Sequence, residues 1–238
     1  MRWMQASLGC TLALGVFAWS VGSALAQDAP AEPAQELPDT WYVTAVSAVG
    51  PRVQFTHYWS KRDRFRADTV IAGHRVVSIV NGDKYYSLDT VSALGLQVTR
   101  DPAAIAADKT RSRPFADEWD ELMRAGGESI GTEMIQGRES EIFRLTNSTG
   151  RRTVWVSVTE PRVPVRVETF DRKSGKKESL EYINWLRGLN IADAFFEPPV
   201  QSQLEKLDYL EYARESRLGP VGAVPVLYRR FLQADFGD

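Results

Sequence analysis

The chain has 238 residues, 29 Lys and Arg against 31 Asp and Glu, a formal net charge of −2 and one cysteine. The faint acidity argues against a nucleic-acid partner, which wants a basic surface. One cysteine cannot make an internal disulfide, so ordinary core burial has to stabilise the fold.

Met1-Arg2 opens a segment with no further charge until Asp28, and the apolar stretch CTLALGVFAWSVG leads to Ala24-Leu25-Ala26. A basic start, an apolar middle and a small-x-small end predict a signal peptide over 1–26, removed after Ala26, and an exported protein. The rival is an uncleaved membrane anchor, because the uncharged run is almost long enough to span a bilayer. Residues 27–40, rich in Ala, Pro and Glu, predict a disordered lead.

From Trp41 the texture changes. WYVTAVSAV, VQFTHYWS, RFRADTVI, HRVVSIVN and DKYYSLD are short runs rich in Val, Ile, Thr and aromatics, and LGLQVT at 94–99 adds another. Turn signals separate them at Gly50-Pro51, Lys61-Arg62-Asp63, Ala72-Gly73 and Asn81-Gly82, the last read as a type I′ turn with both residues central. Asp101-Pro102 is an N-cap followed by a first-turn proline, predicting a short helix over PAAIAADK. A second helix is predicted over PFADEWDELMRAGG, with Phe115, Trp119, Leu122 and Met123 on one apolar face and Gly126-Gly127 as its stop.

Strands resume with ESIGTEMIQ, SEIFRLTN, RTVWVSVT, RVPVRVETFD and KKESLEYINWL. Val154, Val156 and Val158 share a face, as do Val163, Val165 and Val167, so the sheet has an apolar side. Phe195 and Phe196 then predict a seal over the end of the curled sheet, and Pro198-Pro199 a block to further pairing. Beyond them, Leu204, Leu207, Tyr209 and Leu210 stand at helical spacing. The fold expected is mainly β with α, a strongly curved antiparallel sheet or open half-barrel of about ten or eleven strands, with helices over its concave apolar face. The domains expected are 41–199 for the half-barrel and 200–238 for a C-terminal helix and tail.

Four stretches resemble one family. They are YWSKRDRFRAD, VVSIVNGDKYYSLD, GRRTVWVSVTEPRVPVRVETFD and YINWLRGLNIADAFFEPP, in that order across 41–199. Together they are similar to the LolA/LolB-like periplasmic lipoprotein carriers, a superfamily that includes the N-terminal half of the sigma-regulator RseB. The resemblance implies a half-barrel around an apolar cavity that receives acyl chains, and an arginine that holds a lid shut, for which Arg62 is the matching position. The chain departs from the carrier in having Asp63 where the carrier has proline, in showing no N-terminal helix, and in continuing past 199.

A curled sheet of about ten strands is wider than two short helices can fill, which leaves space for an apolar ligand. The residues expected to line it are Trp41, Val43, Phe55, Trp59, Phe65, Val77, Ile79, Trp119, Leu122, Phe143 and Phe195. The ligand expected is the acyl chains of a lipid or lipoprotein, bound without chemistry. A periplasmic sensor or protein-interaction module on the same fold is the alternative, with a partner in the outer or inner membrane and 200–238 as the docking element. The sequence carries no recognisable nucleophile, phosphate or dinucleotide motif, and neither His57 nor His74 has metal-ligand spacing. No catalytic residue, metal or cofactor is expected.

Overall fold

The computed structural model describes residues 39–233. The expected signal peptide and nearly all of the expected lead lie outside them. The lead was expected to reach residue 40, but strand β1 begins at Thr40. The Thr40 hydroxyl donates to Leu189 O at 2.7 Å, and the Gly188 N–H donates to Thr40 O at 3.0 Å, which fix the start of the strand.

Six strands follow one another: β1 Thr40–Val49, β2 Arg52–Lys61, β3 Arg64–Ile71, β4 His74–Asn81, β5 Lys84–Asp89 and β6 Leu94–Thr99. Two-residue turns join β2 to β3, β3 to β4 and β4 to β5. Ala72 and Gly73 both hold positive φ, the type I′ geometry that matches strand twist. At the next turn Asn81 is the last strand residue, paired with Lys84, and Gly82, with φ +58°, is the first central one. The turn is therefore Gly82-Asp83, with the glycine where type II′ requires it.

Two short helices come next, α1 Pro102–Asp108 and α2 Glu118–Arg124. The Asp101 carboxylate caps α1, accepting from Ala103 N at 2.7 Å. Helix α2 is shorter than expected, and Phe115 precedes it in an irregular segment. Strands β7 Glu128–Ile135, β8 Arg138–Thr146, β9 Gly150–Ser157, β10 Pro164–Asp171 and β11 Lys177–Arg187 form a second antiparallel run.

The two runs join through β1 and β11, which pair antiparallel from Trp41↔Arg187 to Val49↔Glu178. After a 3₁₀ turn at Asp193–Phe196, residues Gln203–Leu207 form β12, which lies parallel to β6. The sheet is thus a single open one of twelve strands, ordered β12-β6-β5-β4-β3-β2-β1-β11-β10-β9-β8-β7. Leu204 and Leu207, expected on a helix, are in β12. The helix, α3 Tyr209–Ser216, starts after them because Asp208 caps it, accepting from Glu211 N at 2.7 Å. An Asp at the cap with Glu three residues on is a start signal that outweighs the leucine spacing upstream.

One face of the sheet carries a continuous core. Val43, Phe65, Val80, Leu96, Val98, Val154 and Val156 come from strands on both sides of the β1–β11 seam and join in one cluster. Helix α2 packs over β8, β9 and β10. Phe231 and Leu232, near the end of the chain, complete the cover and are buried. This is the inner face. The chain beyond Pro199 therefore belongs to the same sheet and the same core as 41–199.

The opposite face has its own cluster. Val77, Ile79, Leu88 and Phe196 are fully buried there, with Trp59, Ile191, Phe195 and Leu204 packed around them. The segment 189–197 covers this outer face. The expected seal by Phe195 and Phe196 thus closes the outer face of β3–β5, not the inner hollow.

Candidate functional site

The inner face holds a cavity of about 400 Å³ between the sheet and its cover. Its floor comes from alternate residues of three strands. Tyr58 of β2, Phe65 of β3, and Leu180 and Tyr182 of β11 all point inward, because period two sends their neighbours to the other side. The roof is the segment 115–118 entering α2 and the C-terminal segment 226–230.

Aromatic contacts hold floor to roof. Tyr58 stacks on Phe115 with ring centroids 5.4 Å apart and planes 18° apart. Phe65 meets Phe231 at 4.7 Å and Tyr228 at 5.3 Å. The C-terminal segment is tied down by its polar groups as well. Arg230 donates to Asp117 at 2.9 Å and to Pro114 O at 2.6 Å. Arg100 donates to Phe231 O at 2.6 Å and to Gly82 O at 2.9 Å, and pairs with Asp108. Ser87 donates to Pro225 O at 2.7 Å.

The cavity is greasy on one side and polar on the other. Tyr182 donates to Glu118 Oε1 at 2.7 Å, while Glu118 Oε2 is buried without a hydrogen-bond partner. Part of the Glu118 residue meets solvent, but its carboxyl end is under cover. Burial raises the Glu118 carboxyl above its ordinary value. Burial and then the nearby Glu118 push the Tyr182 phenol well above the usual tyrosine range. Tyr58 and Tyr228, hydroxyl to hydroxyl at 3.3 Å, are raised chiefly by burial too. Arg229 and Arg230 line the same cavity, so Glu118 and the three phenols share it with two cations.

A second, wider recess of about 710 Å³ lies beside α2, between Leu122 and the ends of β8–β10, with Leu145 and Phe170 among its apolar lining and Arg151 and Arg152 at its polar side.

The eleven residues expected to share one lining divide between the two faces. Trp41, Val43, Phe65, Trp119, Leu122 and Phe143 are on the inner face. Of these, Phe65 lines the 400 Å³ cavity, Leu122 lines the wider recess, and Val43, Trp119 and Phe143 are packing. Trp59, Val77, Ile79 and Phe195 belong to the outer cluster. Phe55, opposite Val46, is also on the outer side and is 56% exposed. These five stand on the outer side because the outer face of β3–β5 carries an apolar cluster of its own, so an apolar side need not be the inner side.

Tyr58, Phe115, Leu180, Tyr182, Tyr228, Glu118, Arg229 and Arg230 line the cavity too, and the expected lining includes none of them. The alternation Thr56-Tyr58-Ser60 against Phe55-His57-Trp59 held the signal in β2. The less greasy set faces inward.

Arg62 stands at the β2–β3 turn, where its N–H donates to Asp39 O at 3.0 Å. Its side chain borders α1, beside Ile105 and Asp108, and among the described residues it donates to no helix carbonyl. Arg230 and Arg100, in contrast, bond to residues 114–117 and to Phe231 O, respectively.

The histidines sit elsewhere. His57 is on the outer face, with Nδ1 2.9 Å from the Tyr42 hydroxyl. His74 Nδ1 and Ser92 Oγ both contact Asp89 Oδ2, at 2.9 and 2.7 Å. Hydrogen bonds from Ser92 and Val91 N hold the Asp89 carboxyl down at about 2. The serine binds the carboxylate and not the imidazole, so this is a turn cap and not a nucleophile–base pair.

No family model matches the sequence, and no curated protein matches it. Solved structures do resemble it. An uncharacterised conserved protein from Thermus thermophilus is similar at 11% identity, over 71% of this chain and 91% of its own, with a TM-score of 0.50. The Pseudomonas aeruginosa MucA/MucB complex is similar at 13% identity over 70% of this chain and 58% of that chain, with a TM-score of 0.43. A putative outer membrane lipoprotein-sorting protein domain from Vibrio parahaemolyticus is similar at 12% identity over 69% and 92%, with a TM-score of 0.34. At such identities the likeness is one of fold alone.

Proposed function

We propose that this chain is a non-enzymatic, periplasmic binding or carrier protein that shelters the acyl chains of a lipid or lipoprotein in the inner-face cavity. The observation that carries the reading is the aromatic-floored cavity of about 400 Å³, a volume within the range of small-molecule sites. Each methylene buried there contributes ~0.8 kcal/mol, so a chain of about ten gains on the order of 8 kcal/mol before any cost of opening the cover. The roof segment 226–230 has little regular structure and is held by side-chain contacts, so it can yield without unzipping the sheet.

Titration with a fluorescent fatty acid, and mass spectrometry of lipid that co-purifies, test the reading. Leu180→Trp fills the floor and is expected to weaken uptake at least tenfold, whereas Phe55→Ala on the outer side leaves it unchanged. Absence of uptake, or equal effects of the two substitutions, would refute it.

A second reading, a sensor or protein-interaction module on the same fold, is favoured by β7. This strand pairs with β8 alone, and its Ile130 and Met134 are 46% and 63% exposed. An open edge can accept an extended peptide as an added strand. Cross-linking from a photoreactive residue at Met134 in the periplasm tests it, and capture of no protein partner removes the reading.

A further inference from the structure

The basic turn between β2 and β3 was a feature of the sequence without a structural use. Most of its charge is consumed locally. Lys61 and Arg64 both pair with Asp193, at 2.7 and 2.9 Å, and Lys61 also donates to Ile191 O. Arg66 pairs with Asp68 at 2.9 Å and donates to Phe195 O at 2.9 Å. These three cations fasten the segment 191–195 to the outer face. Arg62 is the one left over.

Arg62 borders a niche of about 100 Å³ between the turn and the segment that runs from α1 toward α2. Four more cations line it: Arg100, Lys109, Arg111 and Arg113. Only two carboxylates do, Asp63 and Asp108, and Arg111 also reaches Asp117, outside the lining, at 3.5 Å, so cations still outnumber carboxylates there. Asp108 is already shared by Arg100 and Arg111. Among the described residues Arg62 and Lys109 have no ion-pair partner. Arg113 is set differently. Its guanidinium lies against the rings of Trp41 and Trp185, at 5.1 and 5.5 Å, which hold it in place. One of its N–H groups donates to Ala116 O at 3.3 Å, and its Nε is buried with no acceptor.

An excess of cations at a small concave site selects an anion, and guanidinium geometry matches a tetrahedral oxyanion. We propose that this niche binds a phosphate group. The group is either inorganic phosphate or the phosphate of a lipid headgroup, and the chemistry of recognition is the same. The lipid source has a structural rationale: Arg113 and Pro114 line the niche, while Phe115 and Ala116, next in the chain, line the inner-face cavity. The phosphate site itself does not depend on the acyl-binding reading.

The test titrates the full-length protein with inorganic phosphate at constant ionic strength, by calorimetry, and separately measures retention on phosphatidylcholine vesicles with and without phosphatidic acid. The variant pairs Arg62→Gly, which suits the φ of +55° at that position, with Lys109→Gln; both residues are exposed, so the fold is retained. The control pairs Lys173→Gln with Lys177→Gln on the distant β10–β11 hairpin. The expected result is saturable binding weakened at least tenfold in the Arg62/Lys109 variant and unchanged in the control. Binding of inorganic phosphate identifies a free-anion site. Binding only to vesicles with phosphatidic acid identifies the headgroup. No binding in either arm, or an equal loss in the control pair, overturns the proposal. Inorganic phosphate has no chain, so its result stands apart from that of the fatty-acid titration.

Discussion

At the scale of single residues, Glu118 shapes the chemistry of the cavity. Among the described residues it is the one carboxyl lining the cavity, and one of its oxygens is buried without a donor. Because burial raises its value in the folded state above the ordinary 4.5, folding holds its proton. Below pH 4.5 both folded and unfolded forms are protonated, and the group costs nothing. As the pH rises from 4.5 toward the folded value, the unfolded chain gives up the proton that the folded one keeps, and stability is lost. Glu118→Gln keeps an acceptor for the Tyr182 hydroxyl and never ionises. Its stability relative to the parent is expected to rise from acid to mildly alkaline pH, as read by urea melts at both ends. A difference that stays flat with pH would show that the carboxyl is ionised freely and is not shielded. Composition could not reveal this residue, because Glu118 sits among Asp117, Asp120 and Glu121 in a run that reads as a solvated face.

At the scale of elements, the segment that follows β11 is the clearest case. Asp193–Phe196 is a single 3₁₀ turn, yet it buries Phe196 completely against Val77, Ile79 and Leu88. Three cations of the β2–β3 turn clamp it in place. Phe196→Ala is expected to destabilise the protein by about 3–5 kcal/mol, the usual range for a buried phenylalanine. Because the ring lies on the outer face, affinity for a fatty acid should not change in the fraction that remains folded. Chemical denaturation and ligand titration of the same variant check the two halves of this prediction. Loss of ligand affinity without loss of stability would put Phe196 at the cavity after all. The aromatics were legible in the sequence, but Pro198-Pro199, expected to block further pairing, are followed by β12, which pairs with β6. The side of the sheet that the aromatics take was not legible, since a strand's alternation marks two faces without saying which is inward.

At the scale of the whole molecule, one sheet ties together parts of the chain that are far apart in sequence. The seam between β1 and β11 unites residues 40–49 with 177–187, and β12 adds residues 203–207 to the edge at β6. The C-terminal segment then places Phe231 and Leu232 in the same core as Val43 and Val154. A single core of this kind unfolds as a unit. Calorimetry is expected to show one transition, and a chain ending at Leu218 is expected to melt lower and bind a hydrophobic dye. A separate transition that vanishes on removing 219–238 would mean that the tail is an independent element.

The sequence by itself determined the local grammar. Alternating Val, Ile, Thr and aromatics set eleven of the twelve strands, and Gly73, Gly82 and Asp101 set turns and a cap through backbone geometry that only those neighbours feel. It also carried the fold class, because consecutive hairpins with one apolar side must curl. Tertiary structure decided what depends on partners distant in the chain: the β1–β11 seam, the parallel β12, the inward side of β2 and the roof over the cavity. Each of those is settled by burial against a surface assembled from both ends of the chain, and no short window of sequence contains both halves of such a contact.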